Sequence, residues 1–428
     1  MSMPDIQFDV TRLFVRGSRF SPTGIDRVVL AYAAWLLERP KVRLEPVLTV
    51  GGRLLHLRRE RLARMIGNAQ LFAKRELGHE DPVWTRLVGV LDAPDGCAEP
   101  LRAPALRRQI PARARWYLDV ARRSVAQLRP TAPRPGALYL NVSHTGLGDP
   151  AVLGRIVAAG AKPVVMLHDL IPITHPEFCS PQAEARHERR MRQIVDHADH
   201  VITNSKTTAA DFAAYVGGAG ARRPSVTAVP LGLHPEFLAD PAPVAGCRPY
   251  FIFVGTIEAR KNLAFLLSVW RRLEERLGAR APRLVIVGRR GWENEAVIDH
   301  LDRSKAVIRL VHEVCDLRDR DLARLVAGAA ALLSPSFAEG FDLPVLEALA
   351  VRTPVIASRI PVHEEFAGWA TLLDPLDGPA WMGAIETAAS NPVRGPAVVS
   401  PTWEAHFHTV APILGVDIDG ADGVHGQA

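Results

Sequence analysis

The chain has 428 residues, 48% of them hydrophobic, and a formal net charge of +6. These values exclude a disordered or fibrous chain and suggest two globular domains of ordinary size rather than one. Four scattered cysteines, Cys97, Cys179, Cys247 and Cys315, form no C-x-x-C pair, which argues against a zinc knuckle or a thioredoxin-type site and fits a reducing cytosol.

In chain order, residues 6–10 read as a strand. A Pro22-Thr23-Gly24 loop then opens a helix over 24–37. Further strands are expected at 137–141, 163–167, 200–204 and 225–229. The second half is more regular. Strands at 250–254, 283–287, 306–310, 330–333, 353–357 and 370–373 alternate with helices over 262–277, from about 293, over 320–328, after 340, over 361–366 and from 379. Strands alternating with helices of this length predict parallel, doubly wound sheets. The fold class is therefore α/β with two tandem domains, 1–240 and 247–400. They are joined by the loop Ala239-Asp240-Pro241-Ala242-Pro243-Val244-Ala245-Gly246 and followed by a closing helix within 401–418. Ligands of such proteins sit in the cleft between domains.

Residues from about 53 to 134 depart from this pattern. They form a basic, arginine-rich insertion in which Arg113, Arg115, Trp116, Tyr117, Leu118, Arg122 and Arg123 fit one amphipathic helix. Such a helix either docks on anionic lipid or is an ordinary surface helix, and periodicity does not separate the two. The start of the chain lacks a signal-peptide pattern. No apolar run reaches the 18 or so residues of a membrane span, so a cytoplasmic chain is expected, in peripheral contact with the inner face of the membrane if the basic segment docks there. The positive balance favours anionic partners such as phosphorylated small molecules, and no nucleic-acid-binding motif is visible.

Chemistry-bearing residues cluster at expected strand ends. Glu258-Ala259-Arg260-Lys261 follows the strand 250–254 and opens a helix. Two cations there are unfavourable for the helix dipole unless an anion is bound, so a diphosphate site is expected. His168, after the strand 163–167, projects into the crevice and could donate to a hydroxyl or act as an acid or base. Gly24 lets backbone approach a phosphate or sugar, although the full dinucleotide-binding glycine pattern is absent. Glu339 follows the strand 330–333, and Glu347 lies about one turn inside the next helix. At a strand-end crevice both carboxylates can accept hydrogen bonds from sugar or ribose hydroxyls.

Together these residues resemble the retaining glycosyltransferases of the GT4 family, which have the GT-B fold of two Rossmann-like doubly wound domains facing a central cleft. The resemblance rests on Glu339…Glu347 as an E-x7-E motif, Glu258-Ala259-Arg260-Lys261 as the phosphate element, His168-Asp169-Leu170-Ile171-Pro172, the glycine loop Thr23-Gly24-Ile25-Asp26-Arg27, and Thr402-Trp403-Glu404 at the start of the last helix. It implies that Arg260 and Lys261 hold the donor diphosphate, so that no metal and no separate cofactor are needed. Glu347 would bind the ribose and Glu339 the donor sugar. Backbone amides of Gly340, Phe341, Asp342 and Leu343 would read that sugar, and His168 would contact it. Gly24 would allow close approach, and the backbone at Val314 would meet the base. The leaving phosphate would help deprotonate the acceptor.

The His168-Asp169-Leu170-Ile171-Pro172 and Gly24-Ile25-Asp26-Arg27 forms are similar to those of bacterial mannosyl- and rhamnosyltransferases of cell-surface polysaccharide or glycolipid synthesis. That implies a GDP-mannose donor and a lipid-linked or oligosaccharide acceptor. A nucleotide-sugar 2-epimerase and a non-catalytic sugar-nucleotide-binding subunit remain the alternatives. Two departures from the family stand out. Asp342 replaces a frequent glycine, and either caps the helix or touches the sugar. A basic residue near Gly255-Thr256 is missing, with Arg289 the candidate to replace it.

Overall fold

The computed structural model describes residues 3–16, 24–75, 81–93, 101–102, 128–219, 223–291 and 294–418. The expected docking helix around Arg113–Arg123 and Thr23 of the glycine loop lie outside the described residues.

The first half builds an 8-stranded sheet: β1 (Asp5–Asp9), β2 (Arg43–Val50), β3 (Arg53–His56), β4 (Arg129–Thr131), β5 (Leu138–Asn141), β6 (Lys162–Leu167), β7 (His200–Thr203) and β8 (Ser225–Ala228). The spatial order is β4-β3-β2-β1-β5-β6-β7-β8. The β2/β3 and β3/β4 pairs are antiparallel and the others parallel. The sequence reading lacked β2, β3 and β4. Glu45 and Pro46 break the apolar pattern of β2, although the strand itself is continuous, and the two short strands lie at the ends of the basic span.

The second half builds a 6-stranded, wholly parallel sheet. Its strands are β9 (Tyr250–Val254), β10 (Arg283–Val287), β11 (Val311–Val314), β12 (Ala331–Ser334), β13 (Val355–Ser358) and β14 (Thr371–Leu373). The order β11-β10-β9-β12-β13-β14 reverses between β9 and β12. Such a switch point leaves a crevice beyond the strands' carboxyl ends, where α/β proteins bind ligands. β9, β10, β12 and β13 are buried on both faces and read as near-continuous apolar runs, as parallel strands do, whereas β11 carries His312 and Glu313 and the edge strand β14 is partly exposed.

One expected strand is a helix. Residues 306–310 fall inside the helix Lys305–Leu310, whose Ser304 hydroxyl caps Val307 N, and β11 begins one residue later. Val307 and Leu310, three apart, face the core, and together with Ala306 and Ile308 they gave a false strand signal.

The closing helix Trp403–Val410 packs on the helix Gly24–Leu37 of the first half. Phe407 stacks on Trp35 with ring centroids 4.5 Å apart. His406 bridges the Tyr32 hydroxyl and the Pro230 carbonyl, each at 2.8 Å. A Cβ on Gly232 would lie 2.2 Å from Trp403 N, so only glycine admits the helix there. The chain's last described helix thus returns to the sheet on which the chain began.

Candidate functional site

The carboxyl ends of β9, β12 and β13 converge with the end of β6 from the first half. After β9, Ala259–Lys261 forms a single 3-10 turn, and Asn262 takes a left-handed conformation (φ 54°) before the helix Leu263–Leu277. Arg260 and Lys261 therefore precede the helix rather than open it. The turn is tied to the loop after β12 by Phe337 N donating to the Arg260 carbonyl and by Arg260 Nη1 donating to the Ala338 carbonyl, at 2.8 and 3.0 Å.

That loop brings the carboxylates to the cations. Glu339 lies 2.7 Å from Arg260 Nη1 and 2.5 Å from Lys261 Nζ, and accepts from Ser336 Oγ at 2.8 Å. Glu258 accepts from Arg260 Nε at 3.2 Å. Lys261 is 6% exposed. Burial opposes its charge, but Asp342 and Glu339 outweigh burial and hold the ammonium above its ordinary range. Gly255 makes room for this side chain, since a Cβ there would sit 3.2 Å from Lys261 Cε. Arg289, the candidate extra cation, is instead bonded to Asp316.

Asp342 does not cap the helix Leu343–Ala350: its side chain makes no capping hydrogen bond. It stands at φ 58°, a left-handed conformation that explains why glycine suits this position. Its carboxylate turns inward, to Lys261 Nζ at 3.4 Å, Ser334 Oγ at 2.5 Å and His363 Nε2 at 2.9 Å. Burial works against that charge, but Lys261 and the His363 hydrogen bond outweigh it and hold the carboxyl well below the usual carboxylate range. Phe341, beside it, is buried in the apolar core.

From the first half, His168 donates Nε2–H to the Val142 carbonyl at 2.8 Å. A carbonyl can only accept, so the neutral ring presents Nδ1 as an acceptor; of the roles the sequence left open for His168, donor, acid or base, this arrangement suits the base. Burial lowers its pKa below 6.5, which favours the neutral ring. The backbone of His168 abuts Gly340, where a Cβ would lie 2.1 Å from the His168 carbonyl oxygen. Ser205 Oγ and Thr208 Oγ1 donate to the Gly340 carbonyl at 2.7 and 3.2 Å. Phe178 stacks on Phe337, centroids 5.0 Å apart.

Glu347 is buried and accepts from Arg27 Nη1 at 2.8 Å. Arg27 also binds Asp319, which lies 3.5 Å from His234 Nε2. Burial raises the Glu347 pKa against the pull of Arg27. Gly24, one turn before Arg27, faces Leu343, whose Cδ1 would lie 3.4 Å from an added Cβ. Val314 ends β11, and its carbonyl accepts from Gly288 N at 2.8 Å.

His168, Arg260, Lys261, Glu258, Glu339 and the Gly340–Leu343 loop thus form one locus. Gly24 and Glu347 lie on its flank, and Val314 lies across the sheet beyond β10. Sequence reasoning missed Arg27, Ser336, Asp319 and His363 as members. Arg27 lay inside a quoted motif, and His363 two residues into the helix after β13. Among the described residues no group of three or more His, Cys, Asp or Glu is placed to hold a metal ion, and no helix is long and apolar enough to cross a membrane.

The family model described as Glycosyl transferases group 1 matches residues 248–391. The O-antigen chain mannosyltransferase B of Escherichia coli is 29% identical over 231 residues, 50% of this chain and 58% of that protein. The serotype-specific mannosyltransferase WbdA of Escherichia coli is 29% identical over 228 residues, 49% of this chain and 27% of that protein. The chain therefore spans less than two thirds of these curated relatives. The structure of a sucrose-phosphate synthase (tll1590) from Thermosynechococcus elongatus superposes with a TM-score of 0.58 at 15% identity, covering 96% of this chain and 97% of that one. At that identity the likeness is one of fold.

Proposed function

We propose that the chain is a group 1 (GT4) glycosyltransferase of the GT-B fold, a retaining hexosyltransferase using a nucleotide-diphosphate sugar; the family model over residues 248–391 and the likeness of fold support this reading. The observation that carries this is the packing of Arg260 and Lys261 against Glu339 at the β9/β12 switch point, opposite His168. Two cations held in place beside acceptor oxygens suit a diphosphate and the sugar joined to it.

In this proposal Arg260 and Lys261 hold the diphosphate and stabilise charge on the leaving nucleotide. Glu258 orients Arg260. Glu339 accepts from donor-sugar hydroxyls, and the backbone amides from Gly340 to Leu343 read the same sugar. His168 accepts a sugar hydroxyl at Nδ1. Glu347 takes the ribose hydroxyls, for which Arg27 must yield or share the carboxylate. Gly24 leaves room for the donor phosphates, and the Val314 backbone borders the base. The leaving phosphate accepts the acceptor's proton, and no metal is assigned.

We take 1–240 as the acceptor domain, 247–400 as the donor domain and 401–418 as the segment that docks back. The likeness to mannosyltransferases of O-antigen synthesis supports mannose from GDP-mannose, passed to a lipid-linked or oligosaccharide acceptor on the cytoplasmic side. The test is incubation with GDP-, UDP-, ADP- and dTDP-sugars, following donor-dependent thermal shift and sugar transfer. Binding and transfer with GDP-mannose, both lost in Lys261→Ala and Glu339→Ala, are expected. A wild-type protein that binds none of these donors would refute the proposal.

A further inference from the structure

We propose that His363 is a positioning residue for the donor diphosphate, acting through Asp342 on Lys261. This rests on the donor site of the preceding section and adds a residue to it.

The geometry around His363 constrains its protons. Nδ1 lies 2.8 Å from the Ser358 carbonyl, and Nε2 lies 2.9 Å from Asp342 Oδ2. Carbonyl and carboxylate oxygens only accept, so both ring nitrogens carry hydrogen and the ring is an imidazolium. The residue is fully buried, and a buried cation persists only when paired. Burial would lower its pKa, but the hydrogen bond and charge of Asp342 outweigh burial and raise it.

The pairing has a direct consequence for Lys261. His363 and Ser334 engage Asp342 Oδ2, while Lys261 Nζ meets only Oδ1, at 3.4 Å. Asp342 thereby steadies Lys261 without gripping it, and the ammonium can turn part of its hydrogen bonding to a phosphate. Without the imidazolium, Lys261 becomes the main counter-charge of a buried carboxylate. Removing that positive charge also leaves carboxylates in excess around an anionic ligand. Acting on the ring are Asp342 and Glu339 from the loop after β12 and Ser358 from β13; Ser334 and Lys261 meet Asp342, and Lys261 and Arg260 meet Glu339. On its own element, Glu364 is paired with Arg359, and Glu365 is bonded to Thr207.

The left-handed backbone of Asp342 strengthens the case. A carboxylate is kept where glycine is free of strain, so its inward contacts must outweigh that strain.

The test is steady-state kinetics from pH 6 to 9 with GDP-mannose, alongside donor binding followed by thermal shift. For the wild type, donor kcat/KM should fall as pH rises through the raised pKa of His363, because the imidazolium is lost. His363→Asn should raise donor KM roughly tenfold, the scale on which partners of a ligand-binding residue act, with a smaller change in kcat. It should also abolish the alkaline fall. Asp342→Gly suits the left-handed backbone and guards against misfolding. In it the alkaline fall should vanish too, and adding His363→Asn should change donor KM no further. Wild-type KM and pH profile in His363→Asn, or purely additive effects in the double variant, would overturn the role of His363 while leaving the donor site standing. Failure of the wild type to bind any nucleotide sugar would overturn both.

Discussion

Gly340→Ala is the sharpest probe of how the two halves meet. The new Cβ would lie 2.1 Å from the His168 carbonyl oxygen and 2.9 Å from Asp169 Cβ. An ordinary carbon–oxygen contact is about 3.3 Å, so roughly 1.2 Å of movement is needed. The obstacle is backbone at the end of β6, which cannot rotate aside. Relief must come from separating the two sheets. That strain is about 1–3 kcal/mol. Stretching the bonds from Ser205 and Thr208 to the Gly340 carbonyl adds about 1 kcal/mol. A total of about 2–4 kcal/mol against the closed arrangement corresponds to a roughly thirty- to thousandfold loss of kcat/KM. One apolar cluster, holding Val28 and Leu36 of the first half and Val345 and Leu349 of the second, runs through both halves, so the melting temperature should fall as well. Gly383→Ala, with nothing within 4 Å of the new Cβ, is the control and should keep full activity. The assay is donor-dependent sugar transfer with thermal melts of both variants. A Gly340→Ala protein with wild-type kcat/KM would refute the claim that this contact closes the site.

Arg27→Met leaves Glu347 buried without its cation and should destabilise the protein by about 3 kcal/mol in denaturant melts, whereas Arg27→Met/Glu347→Gln should lose less than the sum of the single changes. Phe407→Ala, which removes the ring stacked on Trp35, should cost about 3–5 kcal/mol, read as a lower midpoint in urea. Acid should destabilise the fold through buried neutral histidines. Burial lowers His144, His168 and His187 below 6.5, His406 to about 4 and His312 to about 3. Below pH 6.5 the unfolded chain binds protons that the folded chain does not, so stability is full above 6.5 and falls as pH drops toward 4. His363 has the opposite sign: its contribution is full below 6.5 and is lost as pH rises through its raised pKa. Thermal midpoints measured from pH 8 to pH 4.5 should therefore decline on the acid side, and a flat profile there would contradict the burial of these rings.

The two α/β sheets were legible because buried parallel strands read as apolar runs. Residues 250–254 and 283–287 coincide with β9 and β10, and 24–37 with its helix. β2 was not legible, because Glu45 and Pro46 break its apolar pattern. In the structure Glu45 gathers Gln7, His56, Thr131 and Arg134, partners whose closeness no local pattern encodes. The motif residues could be named from sequence, but their partners could not. The Arg27–Glu347 pair joins positions 320 residues apart, and Asp342–His363 depends on a left-handed backbone at Asp342. Of the two roles left open for Asp342, the cap is not made for the same reason: the left-handed turn points the carboxylate into the protein, toward Lys261 and His363.

The central claim is that Arg260, Lys261, Glu339 and Glu347 form a donor site. Isothermal titration of GDP-mannose into the wild type, Lys261→Ala and Glu347→Gln tests it most directly. The account predicts saturable wild-type binding, weakened more than tenfold by Lys261→Ala through a lost charged hydrogen bond and by a smaller factor in Glu347→Gln. Wild-type affinity in both variants would contradict it.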